Sequence, residues 1–235
     1  MRLISNGVCP MPTRIVPKNY RNLTGLVHNS RTSTMTAFES SLERDFLLLL
    51  DFDPDVESFE EQPVKITYHD DHGRRHTYTP DVLVHYRADK TSASVHPPML
   101  CEVKYLADLR QHWMEYKVKF KAARRYAREY GWCFRLMTER EIRTPHLDNV
   151  KFLRHYRHIN VETAHVHELL ERLRVLRETT PEALLATISD DVWHKAQWLP
   201  VLWHLVAQRQ VGTDLSHALT MHSHIWSVAS RGRDT

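Results

Sequence analysis

Thr79-Pro80-Asp81 is followed, 21 residues after the aspartate, by Glu102-Val103-Lys104. Both groups fall in segments that read as strands. Tyr78 to Tyr86 carries Asp81 near its start, and Met99 to Lys104 carries the second group. Alternation along a strand puts Glu102 and Lys104 on one face and Val103 on the other. Two carboxylates delivered to one cleft can hold a hard divalent cation through oxygen. Such a cation polarises a phosphate and generates hydroxide near neutral pH. A lysine beside it can orient the attacking water and offset charge developing on phosphorus. Each short motif also has an ordinary explanation: Asp81 as a turn residue after Pro80, Glu102 and Lys104 as a solvated strand face.

Upstream, Thr36 to Leu50 has apolar residues at Phe38, Leu42, Phe46 and Leu49, one stripe of a helix. Thr36 and Glu39 have capping-box spacing, which gives Glu39 a structural job. Glu43 lies a turn further in and has no such capping job; it is either a solvated charge paired with a neighbour or the candidate third carboxylate, near a second metal or the attacking water. Asp51-Phe52-Asp53-Pro54-Asp55-Val56 stops the helix. Extended runs at Val56 to Glu61 and Val64 to Tyr68 flank Gln62-Pro63, where Gln62 either enters the cleft or bonds backbone around the proline. His69-Asp70-Asp71-His72-Gly73 reads as a hairpin turn. Ala88 to Pro98 reads as a loop.

Downstream, Leu109, Trp113, Tyr116, Phe120, Ala123, Ala127 and Tyr130 mark one face of one long helix, stopped by Gly131. Trp132 to Met137 is a further strand. Thr138-Glu139-Arg140-Glu141 opens a short capped helix that Pro145 ends. Helix, strands, long helix, strand is an α/β order that sets the carboxylates on adjacent central strands. Past residue 147 helical signals dominate. Thr163 to Glu178 carries a leucine stripe, Thr180-Pro181-Glu182 is an N-cap with proline at the first helical position, and Val192 to Gln208 is a buried helix. Val211 to Leu215 reads as a short strand or turn before a last helix near Ser216 to Met221. A mostly helical module with small strands fits a winged-helix-like fold. The expected organisation is an arm at 1–35, an α/β domain at 36–146 and a helical domain at 147–235.

The 235 residues are 26% charged and 42% hydrophobic, an ordinary composition for a soluble chain. No apolar run approaches the roughly 20 residues of a membrane span, and the N-terminus lacks a signal-peptide pattern. Cys9, Cys101 and Cys133 are scattered, which fits a reducing cytosol rather than a disulfide scaffold or zinc cage. His165-Val166-His167 and His222-Ser223-His224 lack the spacing and the further ligands of a zinc site. Net charge is only +3 but uneven. Residues 1–38 hold Arg2, Arg14, Lys18, Arg21 and Arg31 and no acid. They read either as a disordered tail or as an arm that orders on DNA or a partner. The long helix carries Lys117, Lys119, Lys121, Arg124, Arg125 and Arg128, candidates for phosphate contact that positions a duplex without reading it.

The P-D…E-x-K pattern resembles the active site of Mg²⁺-dependent, restriction-endonuclease-like nucleases. Five motifs occur in order: Ser41-Leu42-Glu43-Arg44-Asp45-Phe46, Asp53-Pro54-Asp55-Val56, Glu61-Gln62-Pro63, Tyr78-Thr79-Pro80-Asp81 and Glu102-Val103-Lys104. Together they are similar to TnsA, the endonuclease subunit of heteromeric cut-and-paste transposases, and the similarity runs through Thr138 to Ile142. Met11-Pro12-Thr13-Arg14 and Tyr20 also resemble the short forms found in CRISPR-associated transposons. The resemblance implies a PD-(D/E)xK core and a C-terminal region that contacts an ATPase. It implies a catalytic set of Glu43, Asp81, Glu102 and Lys104, with Asp81, Glu102, the Val103 carbonyl and Glu43 as ligands to two Mg²⁺ ions, for which Mn²⁺ can substitute. It also implies cutting of the non-transferred strand at the transposon 5′ ends, beside a TnsB-like transposase and a TnsC-like AAA+ ATPase. A stand-alone restriction or repair nuclease of the same fold, and an idle DNA- and protein-binding adaptor, are the alternatives.

Overall fold

Val82-Leu83-Val84 and Leu100-Cys101 are buried along unbroken runs rather than at alternate positions, the signature of a sheet covered on both faces. The computed structural model describes residues 25–29, 34–38, 40–88 and 96–228. The chain divides after Ile142 into two units.

The first unit begins with an antiparallel pair, β1 (Gly25–Asn29) and β2 (Thr34–Phe38). Helix α1 (Ser41–Phe52), β3 (Val56–Glu61), β4 (Ile66–His69), β5 (Arg75–Tyr78), β6 (Val82–Tyr86) and β7 (Met99–Val103) follow. Then come α2 (Leu106–Gln111), α3 (Trp113–Glu129), β8 (Cys133–Met137) and α4 (Glu139–Ile142). Four strands form the central sheet in the order β3-β6-β7-β8. Its pairs are antiparallel except β7 with β8. A parallel pair needs a long crossover, and α2 with α3 supplies it. Val82, Val84, Cys101 and Val103 pack with Leu42, Phe46, Leu47 and Ile142 on one side of the sheet. Leu83 and Leu100 pack with Leu109, Phe120, Ala123 and Ala127 on the other. The result is a mixed α/β unit with helices on both faces.

Three local expectations are corrected here. Thr36 to Phe38 is strand β2, not a helical first turn, and Glu39 lies outside the described residues. The N-cap of α1 is Ser40, whose hydroxyl accepts from the Glu43 amide at 3.1 Å and donates to Glu43 Oε1 at 3.0 Å. The long helix is two helices, because His112 (φ −112°, ψ 20°) leaves the helical conformation while Asp108 holds its ring at 2.8 Å. Leu109 and the later stripe stay in one core across that break, but Trp113 and Tyr130 are exposed. Pro145 does not merely end the preceding helix. It opens α5 (Pro145–Leu153), where its missing N–H costs nothing.

The second unit continues with α6 (Thr163–Leu176), β9 (Glu178–Thr179), α7 (Pro181–Ala186), α8 (Val192–Ala207), β10 (Val211–Thr213) and β11 (Ile225–Ser227). Its small antiparallel sheet has the order β10-β11-β9. Thr180 caps α7 by accepting from the Ala183 amide, and Asp191 caps α8 by accepting from the His194 amide. Leu147, Leu153, Leu169, Leu173, Leu184 and Leu202 are fully buried. The helix expected near Ser216 to Met221 is absent, and turns lead instead into β11. The buried Asn149 amide fixes those turns. It donates to the Leu215 and His217 carbonyls at 2.9 and 2.7 Å and accepts from the Leu219 amide at 2.9 Å. Among the described residues no helix is long and apolar enough to cross a membrane.

Candidate active site

Pro80 ends the β6–β7 ladder, because a proline has no N–H to give and is confined to strand ends. Just outside the ladder the Asp81 amide donates to the Cys101 carbonyl at 3.1 Å. The next amide on β7, that of Val103, bonds the Asp81 carboxylate instead, at 2.7 Å. Asp81 is thereby fixed where β6 and β7 part. On β7, Val103 faces the α1 side of the sheet, and Glu102 and Lys104 turn the other way, as strand alternation requires.

Glu102 is only 1% exposed, and both its oxygens are engaged. Oε2 accepts from the Tyr78 hydroxyl at 2.6 Å, and Oε1 accepts from Lys119 at 3.0 Å. Lys104 Nζ lies 3.4 Å from Glu102 Oε1 and 3.9 Å from Asp81 Oδ2, and donates to the Val103 carbonyl at 3.2 Å. Three oxygen atoms therefore surround one ammonium. Lys119 is itself held over the rings of Tyr116, Tyr78 and Phe120, at 4.4, 4.8 and 5.2 Å.

The electrostatics follow from this crowding. Burial, then the charge of Glu102, pushes the Asp81 carboxyl well above the usual carboxylate range, only partly opposed by Lys104 and the Val103 amide. Burial works against the charge on Lys104, but Asp81, Glu102 and Glu43 outweigh it and hold its ammonium above the ordinary lysine range. Burial and the neighbouring Glu102 raise Tyr78, which stays a neutral donor. A divalent cation in the place of the Lys104 ammonium would meet only oxygen, the donor set that hard cations take, and would relieve the repulsion between the two carboxylates. Among the described residues no group of three or more His, Cys, Asp or Glu side chains gathers for a metal. The donors here are two carboxylates and one carbonyl.

Asp81, Glu102, Val103 and Lys104 are thus brought together. Gln62, at φ 47°, touches the site through its backbone, its amide donating to the Asp81 carbonyl at 2.8 Å. Glu43 is engaged at the start of α1, and its charge reaches both Asp81 and Lys104. Contrary to expectation, Glu43 does have a capping duty. Lys117, Lys121, Arg124, Arg125 and Arg128 are exposed on α3, with Arg125 3.8 Å from Glu129. Arg14, Lys18 and Arg21 lie outside the described residues. Lys119, expected among the phosphate-contacting cations of the long helix, is instead engaged by Glu102 and three rings, and neither it nor Tyr78 was assigned to the carboxylate site from the sequence. The signal for Lys119 was its spacing, three residues after Tyr116 and four before Ala123, which puts it on the apolar stripe rather than among the solvated cations.

Family models for the N-terminal part of TnsA-like endonucleases and the C-terminal part of TnsA endonucleases match residues 53–139 and 141–215. Gln62, Asp81, Glu102 and Lys104 fall within the first match, and Glu43 precedes it. No curated protein matches the chain.

Proposed function

Because the chain belongs to the TnsA endonuclease family, we propose that it is the Mg²⁺-dependent transposase subunit that cuts the non-transferred strand at the 5′ ends of a transposon. The observation that carries this reading is the convergence of Asp81, Glu102 and the Val103 carbonyl on Lys104 Nζ. Those three groups would hold the metal, and Glu43, whose charge reaches Asp81 and Lys104, would serve a second ion. A bound Mg²⁺ supplies Lewis acidity toward the phosphate and a hydroxide-like water near neutral pH. Lys104, freed from its oxygens, is placed to orient the attacking water and to offset charge on the phosphate. Tyr78 and Lys119 keep Glu102 aimed by occupying its two oxygens from outside the cleft.

A sheet covered on both faces, with carboxylates where adjacent strands β6 and β7 part, supports a restriction-endonuclease-like core in the first unit. Four helices and a small antiparallel sheet support a winged-helix-like partner-binding domain in the second unit. In this reading duplex transposon-end DNA lies along the α3 cations and the basic arm, a TnsB-like transposase handles the 3′ ends, and a TnsC-like AAA+ ATPase docks on the second unit. The element acts in a prokaryotic cytoplasm, and Met11-Pro12-Thr13-Arg14 aligns it with the CRISPR-associated subgroup.

Titration of Mg²⁺ or Mn²⁺ into the full chain tests the metal site. The native chain is expected to bind, and Asp81→Asn to bind at least about tenfold more weakly, a loss of roughly 1.4 kcal/mol. The same variant removes a half-buried charge crowded by Glu102, so its metal-free form should melt about 2–4 °C higher, equivalent to about 1 kcal/mol. Native-strength metal binding by Asp81→Asn would remove this site from the mechanism.

A further inference from the structure

The β4–β5 ribbon has two unlike faces. Its register pairs Ile66 with Tyr78, Thr67 with Thr77, Tyr68 with His76 and His69 with Arg75. Side chains alternate across such a ribbon. Ile66 and Tyr78 are buried in the core beneath it, and the rings of Tyr68 and His76 stack at 5.5 Å. On the other face Thr67, Thr77, His69 and Arg75 are exposed, joined by Lys65 just ahead of β4. No acid stands on that face, and among the described residues no carboxylate pairs with Lys65, His69 or Arg75.

The tip is built to be rigid. Asp70 accepts from the amides of His72 and Arg74, each at 2.9 Å, and its other oxygen takes Arg74 Nε and meets His76 Nε2, each at 3.0 Å. The charge of Asp70 is therefore used within the turn and does not cancel the cations on the outer face. The base of the ribbon lies in the active site, because Tyr78 bonds Glu102 and the chain reaches Asp81 three residues later. The tip stands about 13 Å away along four extended residues. A rigid basic ribbon anchored to a cleft for phosphodiesters matches one ligand in charge and shape. A two-stranded ribbon fits a duplex groove, and unpaired Lys and Arg bind its phosphates.

On the basis of the DNA-cutting reading above, we infer that the outer face of the β4–β5 ribbon, through Lys65, His69 and Arg75, binds the phosphate backbone of duplex DNA flanking the cut. Lys65→Gln with Arg75→Gln in the full chain tests it, with a short fluorescent duplex of random sequence, no divalent metal and a series of salt concentrations. Both side chains are exposed, so the unfolding midpoint stays native. Binding should weaken about tenfold at moderate salt, and the slope of log affinity against log salt should fall by about 2, close to one per lost phosphate contact. Lys121→Gln with Arg124→Gln on α3 is the companion variant. If the ribbon variant keeps native affinity and slope while the α3 variant loses both, the ribbon inference is overturned and the DNA reading stands. If the native chain shows no salt-dependent duplex binding, both fall together.

Discussion

Glu43 does two jobs that separate by substitution. Its amide and carboxylate both bond Ser40, which secures the first turn of α1, and its charge reaches Asp81 and Lys104. Glutamine keeps the side-chain bond without the charge, and alanine loses both while its backbone amide still donates to Ser40. Glu43→Gln should unfold within a few tenths of a kcal/mol of native, Glu43→Ala about 1 kcal/mol below it, and both should cut transposon ends poorly. A glutamine variant that cuts at the native rate would leave Glu43 as a cap alone. Lys119 is tested by stability. Lys119→Met strips a partner from a carboxylate that is only 1% exposed, and should cost about 3 kcal/mol, the low end for a broken buried pair, since Lys104 remains. Lys119→Arg should restore most of it, and a methionine variant as stable as native would show that Glu102 does not depend on Lys119. The meeting of Asp81, Glu102 and Lys104 was legible because period-two alternation along adjacent strands is a local rule. Tyr78 and Lys119 were not, because their meaning comes from which strand the α3 face covers.

At the scale of elements, the strands of the central sheet and the caps at Thr138 and Thr180 were readable from short-range signals. The failures come from contacts that override a helical pattern: a strand partner, a side chain one turn back, or a distant amide. Ser40 rather than Thr36 starts α1, because residues 34–38 pair with β1. His112 breaks the long helix through Asp108. The turns after β10 are tied to Asn149, 70 residues before Leu219, which no local window sees. In the same sheet Gly212 has no room for a side chain, since an added Cβ would strike the Trp226 ring across the β10–β11 pair. Gly212→Ala should therefore cost about 1–3 kcal/mol by overpacking, read as a lower denaturant midpoint of the full chain. An unchanged midpoint would mean the Trp226 ring moves aside freely.

On the scale of the whole molecule, the chain joins an α/β unit that holds the carboxylates to a helical unit with its own core and its own small sheet. The sequence reading put the change of character after residue 146, where leucine stripes at helical spacing replace alternating strands, four residues past the division after Ile142. Two matched family regions, one ending at 139 and the next starting at 141, follow the same order. In the proposed division of labour the first unit cuts and the second engages the transposition partners, so loss of a metal ligand should disable one strand cut without dismantling the assembly. Mapping donor-DNA breaks in cells that carry the whole element, with the native chain or with Asp81→Asn, tests this most directly. The account predicts that the variant keeps 3′-end cuts and joining but loses 5′-end cuts, so that cointegrates replace simple insertions. Cutting of both strands at native levels by Asp81→Asn would contradict it.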